Sequence, residues 1–191
     1  MATRGAYGFY KGGVTKITYN HSDSYPENLG VKVAFFAKAI PMKDLNEVFD
    51  RIILVDGDAK PSADQLAEVD LINPYPMKSE INWYRALGFA AEELKYYVKG
   101  LRYMIDNQEF IKDSLMCEWA YVINLDDETL EVYKGFQTEA QENRYYDSKL
   151  VDDKSEKYKN CRLLTAIPIE EAHRIEEILA ENGWYGDEEV E

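Results

Sequence analysis

Apolar and polar positions along this chain pass from a strand period to a helical one and back again. From Val14 to Asn20 they alternate, with Val14, Lys16 and Thr18 on one side and Thr15, Ile17 and Tyr19 on the other. That period of two is the mark of a strand, and Ile17 and Tyr19 mark its expected buried side. The preceding Ala6-Tyr7-Gly8-Phe9-Tyr10 is aromatic and extended in character. Lys11-Gly12-Gly13 supplies a tight turn between the two, because glycine tolerates positive φ. The period then becomes helical. Leu29, Val33, Phe36 and Ile40 recur at helical spacing, and Val31 and Phe35 widen the stripe toward a well-buried helix. Pro41 ends that helix and suits the first position of the next, whose stripe is Leu45, Val48, Phe49 and Ile52.

Gly57-Asp58 and Pro61 break the pattern. Ser62 with Gln65 three residues on has the form of a capping box and predicts a short helix carrying Leu66 and Val69. After the break at Asn73-Pro74-Tyr75-Pro76, helical patterns resume near Ile81 to Leu87 and Ala90 to Val98, and Asp106 with Glu109 offers another box-like start ahead of Phe110 and Ile111. Glu118 to Asn124 is apolar on both faces, as a central strand should be. Leu125 to Thr129 is a turn, and Leu130-Glu131-Val132-Tyr133 pairs back as a second hairpin. The stretch from Gln137 to Asn160 is polar and tyrosine-rich, with Leu150 and Val151 as its aliphatic anchors. A connection of that length is usually functional or mobile, so it is expected to be exposed and to carry partner contacts. Arg162 to Ile167 reads as a late strand ended by Pro168. A helix follows from Ile169 to Ala180, with Ala172, Ile175 and Leu179 facing in and Asn182-Gly183 stopping it.

These elements predict an α+β fold: a mostly antiparallel sheet of two hairpins plus a late strand, with helices packed against it. One domain spans residues 1–185, and an acidic tail, 186–191, is expected to be disordered. Strand order is left open. The alternative is a layered fold like that of the N-terminal-nucleophile hydrolases, since a strand begins soon after a removable Met. That chemistry needs Cys, Ser or Thr at the new N-terminus. Processing here exposes Ala2, and Thr3 would need one further cut.

Charge narrows the partners. The 191 residues carry 36 Asp+Glu against 22 Lys+Arg, a net charge of -14. Such a surface repels nucleic-acid phosphates and anionic membranes, and it attracts basic partners. The segment Met1 to Gly5 has no apolar signal core, and no apolar run approaches the roughly 18 residues of a membrane span. Cys117 and Cys161 lack metal-ligand spacing and are expected to sit reduced in or near strands. The expectation is a cytoplasmic protein with no metal and no cofactor.

Familiar catalytic motifs are missing, and the chain has 2 histidines. His173 falls on a charged helix face, where a surface role is expected. His21 and Asp23, two apart in an extended stretch, can point the same way. Asp23 could orient the imidazole for general-base work, or the pair could supply two metal ligands. Equally, Asp23 or Ser22 could cap the helix that follows. If the cluster is a site, Arg4, Tyr19, His21, Asp23 and Tyr25 should converge on one concavity, because hairpin pairing brings Arg4 beside His21. Asn20 and Glu118 join them as candidate ligand- or partner-binding residues. Tyrosine favours interfaces, which adds Tyr145 and Tyr146 from the long polar stretch. Trp83, Tyr84 and Arg85 could stack on a planar ligand, with core packing as the other reading for Trp83.

Thr3-Arg4-Gly5, Tyr7-Gly8-Phe9, the run Tyr19-Asn20-His21-Ser22-Asp23-Ser24-Tyr25-Pro26 and Leu29-Gly30 resemble the opening of a group of uncharacterised phage- and prophage-associated proteins. Cys117 to Leu125 and Leu130 to Tyr133 are similar to that group's later hairpin. The resemblance covers the two hairpins, well under half the chain. It implies an accessory protein that acts by binding host components, in counter-defence or host takeover, and it carries no catalytic residue with it. The leading expectation is therefore a non-enzymatic binding protein for a host protein or small ligand. Its rival is a hydrolase-like enzyme around Arg4, His21 and Asp23, with Glu118 as a further candidate. A DNA mimic ranks lower, because the acidic residues are scattered.

Overall fold

The computed structural model describes residues 3–73, 82–88, 93–148 and 157–184. Strands β1 (Gly5–Lys11) and β2 (Val14–Asn20) form the first hairpin, registered from Gly5 opposite Asn20 to Lys11 opposite Val14. Gly12 and Gly13 close it with φ of 57° and 81°, the doubly positive turn that matches strand twist. Strands β5 (Trp119–Asn124) and β6 (Thr129–Lys134) form the second hairpin, and β7 (Arg162–Pro168) adds antiparallel to β6. The five strands lie in the order β2-β1-β5-β6-β7. The fold is thus α+β with a mostly antiparallel sheet. Its exception is the junction of the two hairpins, where β1 and β5 run parallel with Gly5 beside Trp119.

A parallel junction needs a crossover, and residues 21–118 supply it. Within it lie α1 (Val31–Ala39), α2 (Met42–Arg51), α3 (Ala63–Asp70), α4 (Trp83–Leu87) and α5 (Lys95–Val98). A small sheet pairs β3 (Ile53–Val55) in parallel with β4 (Tyr103–Ile105). Helix α6 (Ile175–Glu181) follows a 3-10 stretch at Ile169–Arg174 and returns to α1. The layered alternative would stack two large sheets. Among the described residues the second sheet has only β3 and β4, and helices cover the large one.

Tyr7, Phe9, Trp119, Tyr121, Ile123, Leu130 and Val132 point from one sheet face into the main core. They meet Leu29, Val33, Ala34, Ala37, Leu45 and Val48 from the first helices, and Ala172, Ile175 and Leu179 from the C-terminal one. The stripe read for α2 and the inward residues read for α6 are in place. Ser62 and Gln65 exchange both bonds of the capping box.

Two local expectations change, and two short strands are added. Phe35 is 56% exposed rather than buried, and α1 buries Val33, Ala34 and Ala37. A π-helical turn at Pro26–Gly30 precedes α1, with the Gly30 amide donating to the Tyr25 carbonyl. Leu29 and Val33 are buried and Phe36 and Ile40 pack partly buried against the core, so the inward face is narrower than the widened stripe. Strands β3 and β4, of three residues each, are too short to show a period and went unread. Asp106 and Glu109 start no helix, because the Asp106 carboxylate accepts from the Gln108 amide and only a single 3-10 turn, Phe110–Lys112, follows. Trp83 is core, 3% exposed, with its ring centroid 4.6 Å from that of Tyr103. Leu150, Val151 and the 186–191 tail lie outside the described residues. Among those described, no helix is long and apolar enough to cross a membrane.

Candidate functional site

Strand pairing does bring part of the first cluster together. Gly5 opposite Asn20 sets Arg4 beside His21 at the same sheet end. The parallel register adds Glu118, whose carboxylate accepts from the Arg4 amide at 3.2 Å while its own amide donates to the Arg4 carbonyl at 3.0 Å. The Tyr19 hydroxyl stands 3.1 Å from His21 Nδ1, and the Tyr19 ring rests edge-on against Phe110 at 4.9 Å. Burial raises the Tyr19 phenol above its ordinary range, and the Arg4 charge opposes that rise.

The pairing that the spacing of His21 and Asp23 allows is not made. Both are exposed, and the partner of His21 is Tyr19. The Asp23 carboxylate has no hydrogen-bond partner among the described residues. Asp23 instead takes φ of 54° and offers its backbone carbonyl to the Leu29 amide. The helix-capping reading fails as well: Tyr25 holds the cap position with no side-chain bond. Asn20 turns out to brace the loop, donating to Ser24 Oγ at 2.7 Å and to the Ser22 carbonyl. Ser24 is fully buried, and its carbonyl accepts from the Tyr121 hydroxyl at 2.9 Å. Tyr25 is 43% exposed. The shallow concavity beside Phe110, about 430 Å³, is walled by Asp106, Asn107, Gln108, Glu109 and Asp113, and Arg4, Tyr19, His21, Asp23 and Tyr25 are not among its walls.

A second cluster was not read from the sequence. On the sheet face away from the main helices, Glu131 is 3% exposed. It accepts from Asn124 Nδ2 and from the Tyr133 hydroxyl, each at 2.8 Å, and pairs with Arg144. The Arg144 guanidinium lies 3.7 Å from the centroid of the Tyr10 ring. Tyr145, expected to face a partner, is 4% exposed and packs its ring edge-on against Tyr133. Burial pushes its phenol up to about 12, against the pull of nearby Thr15 and Arg144. Asn143 donates to the Cys161 carbonyl at 2.8 Å. This first part of the long polar stretch is therefore structural. Its exposed aromatic is Tyr146, at 46%. The available signal was Glu131 itself, a carboxylate at an inward position of a short apolar strand.

A groove opens on the helix side. It encloses about 450 Å³ between α1 and the segment leading into α5, walled by Tyr7, Leu29, Val33, Phe35, Phe36, Ala39 and Leu94. Lys32, Glu93 and Lys95 form its rim. Lys95 is committed to Glu93. Lys32 is exposed, with no ion-pair partner among the described residues. His173, exposed as expected, sits 2.7 Å from Lys38 Nζ further along α1. Among the described residues no three His, Cys, Asp or Glu side chains gather to hold a metal ion. Comparison with family models, with curated proteins and with solved structures gives no match to this chain.

Proposed function

We propose that this chain is a non-enzymatic binding protein of the phage accessory type, and that the groove beside α1 seats a small amphipathic anion from the host. The observation that carries the reading is Phe35. It stands 56% exposed and lines an otherwise apolar groove, so it extends the apolar wall into solvent where a ligand could cover it. A volume of about 450 Å³ suits a small molecule, and apolar walls with few polar groups are the usual make-up of a ligand site. In a chain of net charge -14, the uncommitted Lys32 at the rim supplies the attraction for an acid group. The catalytic rival has no support from a His21–Asp23 pair, because the partner of His21 is Tyr19.

Anilinonaphthalene sulfonate, an apolar body bearing one acid group, is the probe. Ala39→Trp fills the groove and should weaken probe binding about tenfold or more, and Lys32→Glu should weaken it severalfold. His21→Ala should leave it unchanged. Thermal melting confirms that each variant is folded. Equal probe binding by wild type, Ala39→Trp and Lys32→Glu would overturn the proposal.

A further inference from the structure

Cys117 and Cys161 are 44 residues apart in sequence, yet both reach the same buried spot, each with 0% exposure. Cys117 leads into β5 and Cys161 leads into β7, with β6 between those strands. The residue just past β6 is Gly135. A Cβ there would fall 2.1 Å from the Cys117 carbonyl oxygen and 2.6 Å from that of Ser114. Only glycine lets the chain entering β5 fold across the end of β6 toward Cys161. The Cys161 thiol then donates to the Cys117 carbonyl at 3.3 Å, and the Cys117 thiol to the Trp119 carbonyl at 3.5 Å. The surrounding backbone is clamped: Cys161 N donates to Ile111 O at 3.1 Å, and Ser114 N to Lys159 O at 2.9 Å.

We propose that Cys117 and Cys161 are an intramolecular dithiol that closes to a disulfide under a small disulfide oxidant, locking the entry of β7 onto the entry of β5. One cysteine thiolate attacks a sulfur of the oxidant, whose S–S bond breaks and releases one thiolate. The second cysteine then attacks the protein-side sulfur of the mixed disulfide and releases the other. The two cysteine protons pass to the released thiolates, so the protein loses two electrons and two protons and the oxidant becomes two thiols. Burial and the neighbouring Cys161 both push the Cys117 thiol up, which keeps the pair unreactive while the site is closed. Entry of the oxidant therefore requires local opening around residues 157–161, and closure is slow. The folded chain compensates by holding both thiols in one place, which raises their effective concentration for each other.

The test is equilibration of the full chain in oxidised and reduced glutathione, followed by acid quench, alkylation and intact mass. The expected result is a mass lower by two hydrogens and a peptide linking Cys117 to Cys161. The ratio of disulfide to dithiol should be about tenfold or more higher in the native chain than in the same chain in guanidinium. Cys117→Ser and Cys161→Ser should each abolish the linked peptide, and the closed form should melt at a higher temperature than the reduced one. Three results would overturn the assignment: a native chain that remains dithiol where the denatured chain has closed, accumulation of glutathione adducts without the internal link, or a disulfide between two copies. The outcome is independent of the groove, because neither cysteine lines it.

Discussion

The two faces of the five-stranded sheet are covered in different ways. The face carrying Tyr7, Phe9, Tyr121, Ile123 and Val132 lies under helices, and its core is mostly apolar, with isolated polar tips such as the Tyr121 hydroxyl. The opposite face presents Ala6, Ile17, Ala120 and Val122, small or medium residues, to irregular chain from residues 106–117 and 137–148. A helix satisfies its own backbone, so it can cover a sheet with apolar side chains alone. Irregular chain cannot, and its buried polar groups need partners. The second face accordingly holds the Glu131, Arg144, Tyr133 and Asn124 cluster, and Asn143 and Asn160 bond backbone groups beside it. Burying polar groups in a satisfied network costs little, whereas breaking such a network costs much. The loop-covered face should therefore be the more sensitive to a single polar change.

Leu130 and Glu131 are neighbours in β6 that point to opposite faces, so they set the two coverings against each other. The largest effect is expected for Glu131→Ala, which leaves Arg144 without its carboxylate and two buried donors without an acceptor. It should lower unfolding free energy in urea by about 4 kcal/mol. Replacing both charges, as Glu131→Leu with Arg144→Leu, should restore most of that loss. A drop below about 1 kcal/mol for the single change would show that the loop-covered face does not depend on its polar cluster.

Leu130→Ala comes next. It opens a cavity under the helices with no polar group stranded, at an expected cost of about 3 kcal/mol in the same titration. A larger loss than that of Glu131→Ala would reverse the ranking of the two faces.

The smallest effect is expected on the outside of the helical layer, where Arg102 binds Glu68 on α3 and the Tyr103 hydroxyl also donates to it. The Arg102 hydrogen bond holds the Glu68 carboxyl below its ordinary value of 4.5. A carboxyl depressed in the folded state adds stability above its unfolded pKa, and that stability is lost as pH falls through the folded pKa. Melting temperatures of wild type and Glu68→Gln should differ near neutral pH and converge as the pH falls well below the ordinary carboxyl range, with a gap worth under about 1 kcal/mol that shrinks in salt. A gap that persists undiminished in acid would show that Glu68 acts through packing instead.

What the sequence determined by itself is what depends on near neighbours. The Gly12-Gly13 turn follows from backbone freedom, the Ser62–Gln65 box from a spacing of three, and the break between α1 and α2 from Pro41. The inward faces of α2 and α6 follow from helical periodicity. Each of these is settled by residues within a turn or two of chain. The parallel junction of β1 and β5, the short β3–β4 pair, the meeting of Glu131 with Arg144 and of Cys117 with Cys161, and the groove against α1 were decided only by the tertiary structure. So was the fate of His21 and Asp23. Their spacing allowed a common direction, but the positive φ at Asp23 and the bond from Tyr19 to His21 arose from how the turn docks on Thr3 and Tyr121. Contacts between distant segments rest on packing and on the satisfaction of buried polar groups, and neither leaves a period in the chain.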